Sequence, residues 1–449
     1  MTDGDKLQYE WEYTMNEWLL LSYALGGLGV ATACALLPGL HVAQVAALML
    51  PLAIGPQPLL PPEGLAFVFV GLASGYAVLS SVPCVYCAIP DEGTALVVLP
   101  GQKYLLAGKG PEAVLLFALG SLGGMGCLLL MAPVAPVLLP RLHALLQPHF
   151  HWALWCIVAY MLLSEWPKDA GRAPAGLPRL WAAWKGLLAG LVTFLLSGLL
   201  GLVLSFRSFL PFSGRPAGLL PAFVGLFGAP GLFQGLAGRR PVPPQRPVER
   251  LEIGLKEWLH GTLLGAVGGL FATLFPAVTG GIGAWLAGQG AGQRDGRTFL
   301  LSQGASRVGY LLGSLLLLFA PSMHQVKGGI AAPLSTVYAN PSPRDGLLAL
   351  AAATLCTGFA FLLSLELGRW FAHLPVRPLQ RASTVLLLFV VAATSGPAGL
   401  FVALVAAAIG LLPALWGSRR MNALGVVLLP AALNLSGLSE RLAGVLGLL

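Results

Sequence analysis

Apolar runs of about 20 residues, the length that carries a helix across about 30 Å of hydrocarbon, recur from one end of this 449-residue chain to the other. They lie near 18–37, 42–60, 65–88, 113–139, 152–163, 186–206, 217–237, 259–275, 308–322, 347–366, 383–396, 398–416 and 421–436. Composition closes off a water-facing alternative. Charged residues make up 10% of the chain and hydrophobic ones 56%, whereas a soluble domain carries about 25% charge; mean hydropathy is +0.79. The bilayer must be the solvent. The runs show no polar alternation at period two, so the spans are helices rather than barrel strands. The expected fold is all-α, a polytopic integral membrane bundle of about 10–12 crossings in the cell membrane.

Charge sets orientation. The net charge of +8 comes from short basic loops between apolar runs, as the positive-inside rule places them, and is no nucleic-acid footprint. Gly238–Lys256, Lys168–Lys185, Arg369–Arg381 and Arg419-Arg420 are the basic stretches, expected on the cytoplasmic side. The acidic start (Asp3, Asp5, Glu10, Glu12, Glu17) is unlike a signal peptide. It is expected outside, with Trp18–Leu37 as a retained span. The Pro-rich stretch 241–258 reads as a cytoplasmic linker between a first half, 1–240, and a second, 259–449. Small-xxx-small pairs such as Gly71/Gly75, Gly120/Gly124, Gly261/Gly265 and Gly309/Gly313 predict close helix packing.

Two apolar runs are interrupted. In Ala33–Leu48, Pro38, Gly39, Leu40 and His41 break the helix. In Phe271–Leu286, Pro276, Thr279, Gly280 and Gly281 recur in the same Pro-small-apolar-polar order. Proline removes an amide and glycine frees the backbone. The new helix N-termini offer amides to an anion. Broken helices at corresponding places in two halves point to a transporter's binding site. The alternative for each is a turn at the interface. A third stretch, Ser80–Val114, is broken at Pro83, Pro90 and Pro100 and carries Asp91, Glu92 and Thr94. Acids near a membrane site suggest proton or cation coupling; an interfacial loop whose acids face water is the other reading. On the coupling reading Asp91→Asn keeps the fold and abolishes accumulation. Arg207 and Arg307 are read as snorkelling to headgroups rather than pairing with an anion. Six cysteines, Cys84 and Cys87 among them, read as small buried residues. His149 and His151 match no metal-site spacing, and no Walker motif is present.

"LLPGLHVAQVAALMLP", "VPCVYCAIPDEGTALVVLPGQKYLLAGKGPEAV" and "LLPAFVGLFGAPGLFQGLAG" resemble signature segments of the large permease subunit of tripartite tricarboxylate transporters, and above all a standalone branch common in archaea. The resemblance implies a secondary transporter, not an enzyme, with inverted repeats, two re-entrant or broken-helix hairpins and alternating access by an elevator-like or rocking motion. It also implies an organic anion as cargo at a midplane site between two hairpin tips. Pro276-Ala277 stands where relatives have Pro-Gly. Relatives work with a small membrane subunit and a periplasmic binding protein; a homodimer is a further expectation. The first function read here is proton- or sodium-coupled carboxylate transport, with Asp91 and Glu92 as the coupling acids. The alternative is translocation of an anionic, polyprenyl-phosphate-like lipid carrier. No cofactor beyond H+ or Na+ and no nucleic-acid partner is expected.

Overall fold

The computed structural model describes residues 16–36, 42–54, 58–165, 170–207, 219–231, 233, 242–290, 292, 295–319, 330–338 and 341–449. In chain order the elements that matter here are α1 (Glu17–Leu36), α2 (Val42–Met49), α3 (Pro62–Cys87), α4 (Val98–Leu106), α5 (Gly110–Met131), α6 (Phe150–Leu163), α7 (Leu177–Phe206), α8 (Leu255–Leu274), α9 (Gly280–Gly290), α10 (Gly296–Leu316), α11 (Pro343–His373), α12 (Val376–Trp416) and α13 (Gly425–Leu435). Among the described residues no strand occurs. The protein is a polytopic helical membrane bundle. Helices dominate because a backbone in lipid must satisfy its own amides and carbonyls.

Among the described residues six helices are long and apolar enough to cross a membrane by themselves: α1, α3, α5, α7, α11 and α12. A seventh span is formed if the bent pair Arg420–Leu435 and Ser439–Val445 is counted. The expected ten to twelve crossings included segments that length and composition alone do not pick out. Helices α8 and α10 have 20 and 21 residues, which is span length, but are less apolar. At 41 residues α12 would reach about 60 Å if straight, twice the hydrocarbon. It is not straight, because Gly396 takes φ 61° and ψ −160°. Leu387 on one arm and Ala403 and Ala406 on the other all pack against Gly225–Gly228, so the arms fold toward each other.

Two helix trios repeat the same path. α1 and α3 run parallel: Gly64 lies beside Tyr23, Gly71 on the Ala24 carbonyl, Gly27 on the Val68 carbonyl, and Gly75 beside Leu28 and Ala31. Between them the chain comes back through α2. In the second trio α8 and α10 are parallel, with Gly261 on Thr298, Gly265 on the Ser302 carbonyl and Gly269 on Ser306. The short α9 returns between them, Gly283 against Gly268. A side chain at Gly27, Gly71, Gly265, Gly269 or Gly283 would strike backbone, so the pairs rest on dispersion at close range.

The trios run in opposite directions. Phe319, just past α10, packs on Tyr338 with ring centroids 6.3 Å apart, and Gly346 at the start of α11 lies against Phe319. Arg344 in turn pairs with Glu17 at 2.8 Å, at the start of α1. The end of α10 therefore shares a side with the beginnings of α1, α3 and α11. Two flanking helices cross over: α5 packs along α10 through Gly120 and Gly124, while Tyr86 at the end of α3 donates to the Gly368 carbonyl of α11 at 2.8 Å.

Helix α3 lies at the centre and its span is wholly buried. Residues 242–254 run without regular structure and are fastened to the α4–α5 corner. Gln245 Oε1 accepts from Gly110 N at 2.8 Å, its Nε2 donates to Leu105 O at 3.0 Å, and Arg246 N donates to Gly108 O at 2.9 Å. The same side carries the N-cap of α10, where Asp295 accepts from Thr298 N at 3.0 Å and Thr298 Oγ1 at 2.9 Å. Burial raises the Asp295 pKa, but these donors outweigh it and hold the carboxyl below its usual range.

Candidate functional site at two helix breaks

Past Cys87 the helix stops. Ala88 takes a left-handed φ of 55°, Pro90 follows, and 92–97 form turns before α4. Past Leu274 the same happens: Phe275 is extended, Pro276 follows, and Ala277 takes φ 61°. Among the described residues these two alanines are the only non-glycine residues with positive φ. A Cβ in that region costs about 1–3 kcal/mol, and such strain gathers at binding and switch sites. Ala277 thus adopts, with strain, the conformation that glycine takes freely. Ala277→Gly is expected to leave the break intact and to raise thermal stability by about 1 kcal/mol, read from unfolding of the purified protein; a loss of stability would mean that the methyl packs usefully.

The two breaks meet. Gly281, at the start of α9, lies directly on the Gly93 carbonyl, so close that a Cβ would clash. Gly93 in turn lies under the guanidinium of Arg307. Arg307 sits midway along α10, only 4% exposed, and pairs with the buried carboxylate of Asp91. Tyr76 OH donates to the same oxygen, Asp91 Oδ2, at 2.7 Å, and the Arg307 guanidinium stands 5.2 Å from the Tyr76 ring centre, within cation–π range. The other oxygen, Oδ1, accepts from Thr94 N at 2.7 Å and Thr94 Oγ1 at 2.8 Å, while Asp91 N donates back to Thr94 Oγ1 at 3.0 Å. A carboxylate has about four acceptor sites, and these four donors fill them.

Helix α10 supplies a polar face here. Ser306 Oγ donates to Gly280 O at 2.7 Å and Gln303 Nε2 approaches Gly281 O at 3.4 Å. Two polar atoms at this place are buried without a hydrogen-bond partner, Arg307 Nε and Gln303 Oε1. Buried polar atoms without partners are rare and costly. Beside them is the N-terminus of α9, whose first amides have no intrahelical acceptor. From the far side Arg420 Nη1 donates to the Ala88 carbonyl at 3.1 Å.

The structure thus places Pro90, Asp91, Thr94, Thr279, Gly280 and Gly281 around one buried locus, with Pro276 at the second break. Glu92 is half-buried beside them. Pro38, Gly39, Leu40 and His41 lie outside the described residues. One reading is corrected: Arg307 does not snorkel, since it is buried and pairs with Asp91. Arg207 is exposed and donates to Gly447 O at 2.8 Å. Tyr76, Gln303 and Ser306 were missed. For the last two a signal existed, the Gln303-x-x-Ser306-Arg307 run inside an apolar helix; Tyr76 is one aromatic among many. Among the described residues no three His, Cys, Asp or Glu side chains converge as a metal site would need. Cys84 Sγ contacts Thr94 O at 3.6 Å.

The profile of the tripartite tricarboxylate transporter TctA family matches residues 21–425, nearly the whole chain and both breaks. The chain belongs to that family. It is therefore an integral membrane protein of a transport family. It is 22% identical over 352 residues to the uncharacterized protein MJ1079 of Methanocaldococcus jannaschii, covering 78% of this chain and 81% of that one. The relative's archaeal source accords with the standalone branch. No solved structure matches.

Proposed function

We propose that this permease is a secondary active transporter of an organic anion, of the carboxylate class, coupled to protons or sodium. The observation that carries the reading is Arg307: a buried guanidinium at the meeting point of two helix breaks, with one N–H unpartnered beside the α9 N-terminus. A carboxylate could accept from Arg307 and from the free amides of Gly280 and Gly281. Thr279 would border it.

Charge bookkeeping supplies the coupling. Asp91 and Glu92 balance Arg307 and Arg420 at this locus. An entering anion adds uncompensated negative charge to a buried site, which costs several kcal/mol. A proton or sodium ion bound with it removes that cost. Asp91 is the coupling group in this scheme: the anion draws Arg307 away, and the released carboxylate takes the cation. Glu92 is the second acid. The halves 1–240 and 259–449, interlocked where α5 packs on α10 and α11 on α3, act as the opposed repeat units; a binding protein and a small membrane subunit are proposed partners from the family.

The test is binding of di- and tricarboxylates to purified protein, by calorimetry, across pH and sodium concentration. Affinity is expected to rise about tenfold per unit fall in pH if a proton is the partner, or with sodium if sodium is. Binding that ignores both would overturn the coupling scheme; no binding of any carboxylate would overturn the cargo class. A second reading, transport of an anionic lipid carrier, is favoured by one observation, an apolar cavity of about 610 Å³ whose rim residues Leu130, Val267 and Leu347 are exposed on the side of the bundle. Prenyl phosphates in the same titration decide between them.

A further inference from the structure

A cavity of about 610 Å³ lies between the C-terminal halves of α5, α8 and α10, the segment 132–139 that follows α5, and the first turns of α11. Its wall is apolar almost throughout. Among the described residues Thr273 is the one hydroxyl on it, and that group lies within hydrogen-bond distance of Gly269 O (2.9 Å) and Gly309 O (3.1 Å). Glycines 124, 309, 313 and 346 make the room. At its lip stand Leu130, Val267 and Leu347, between 62% and 81% exposed on membrane helices. The mouth therefore opens into the hydrocarbon, not into water.

We propose that this cavity is a binding site for one acyl chain of a bilayer phospholipid. Water is excluded, since an apolar cavity offers it no partners. An empty recess would forfeit the dispersion contacts of its whole lining. The medium at the mouth is acyl chain, so the occupant is continuous with what surrounds the protein. A neighbouring helix fits poorly: one turn, about 10 Å across and 5.4 Å long, already takes about 400 Å³. A flexible chain enters a recess walled by four helices without that constraint. The leaflet follows from topology. The cavity lies on the side of the α10 end and the α11 start, opposite the basic 242–254 segment, which is the outer leaflet when basic loops face the cytoplasm.

The site bears on transport through α10. Ser306 and Arg307 line the helix breaks, and Gly309 and Gly313, one and two turns on, line the cavity. A chain in the recess braces α10 against α11. The inference does not depend on a carboxylate being the cargo.

The test is phospholipid retained by the purified protein, counted by native mass spectrometry and phosphorus assay after detergent washing. Wild type is expected to keep about one phospholipid per chain. Ala266→Phe and Ala132→Phe fill the recess from two different walls and are each expected to lower retention about tenfold, equivalent to about 1.4 kcal/mol. Delipidated wild type is expected to regain thermal stability on adding phosphatidylglycerol, which keeps the test open if one variant fails to fold. Equal retention in all three proteins would overturn the proposal. So would displacement of the phospholipid by polyprenyl phosphate, which would make the recess a cargo-tail site, or a recess filled by a second copy in a lipid-free dimer. Failure here leaves the carboxylate titration untouched, and failure there leaves this count untouched.

Discussion

Arg307→Met is expected to destabilise the protein by about 3–5 kcal/mol, the cost of leaving a buried charge without its partner. Asp91 would keep Tyr76 and Thr94 as donors but lose the cation that pairs with it. Asp91→Asn alone should cost a similar amount from the other side, because Arg307 is as deeply buried. The double variant, Arg307→Met with Asp91→Asn, should recover most of that loss. Neutral residues of similar volume replace buried ion pairs at little cost, and the introduced carboxamide still has an oxygen to accept from Tyr76. Unfolding of the four proteins forms a double-mutant cycle: single losses that sum to about 6–10 kcal/mol against a loss of about 1–2 kcal/mol in the double variant give an expected coupling of at least about 4 kcal/mol. The recovered double variant should fold but bind no carboxylate, which separates the pair's structural part from its proposed part in transport. Single variants within about 0.5 kcal/mol of wild type would mean that the pair is open to water.

Much of this arrangement was legible in the residues. The membrane bundle followed from charge content alone, because nothing else can dissolve a chain with so few charges. The Pro90-Asp91 and Pro276–Gly281 breaks were legible because proline and glycine act locally, through a missing amide and a missing Cβ. What joins them was not. Arg307 is 216 positions from Asp91, and a pairing across that separation leaves no periodic trace. The rule that favoured snorkelling holds for an arginine near a helix end; Arg307 lies at the middle of α10, where no interface is in reach. The left-handed alanines illustrate the same limit. A glycine at 88 or 277 would have announced positive φ, and alanine conceals it. Crossing number was hidden in part because the interior helix α10 faces protein over most of its length, and so need not be as apolar as a helix bathed in lipid.

The second large effect is expected at Gly281. Gly281→Ala places a methyl against the Gly93 carbonyl. Both atoms at the contact are held by backbone, in a break that already carries a strained alanine at 277, so neither side can rotate away. The loss should be about 1–3 kcal/mol, and proposed anion binding should fall with it, because the α9 N-terminus is pushed off the Asp91 break. Gly93→Ala separates the two consequences. Its methyl would meet the Arg307 guanidinium, which is the far end of a flexible side chain and can move. Stability should drop less than in Gly281→Ala, because the guanidinium can shift and keep its pair with Asp91, while any anion binding that depends on its placement should suffer as much. Gly358→Ala is the control. It sits inside α11 with nothing within 4 Å of the added methyl, and alanine favours a helix over glycine by about 1 kcal/mol, so it should be neutral or stabilising. Thermal unfolding and carboxylate titration of the three variants give six numbers with a fixed order. If Gly281→Ala proved as harmless as Gly358→Ala, the two breaks would not be in contact, and a site built from both would have to be abandoned.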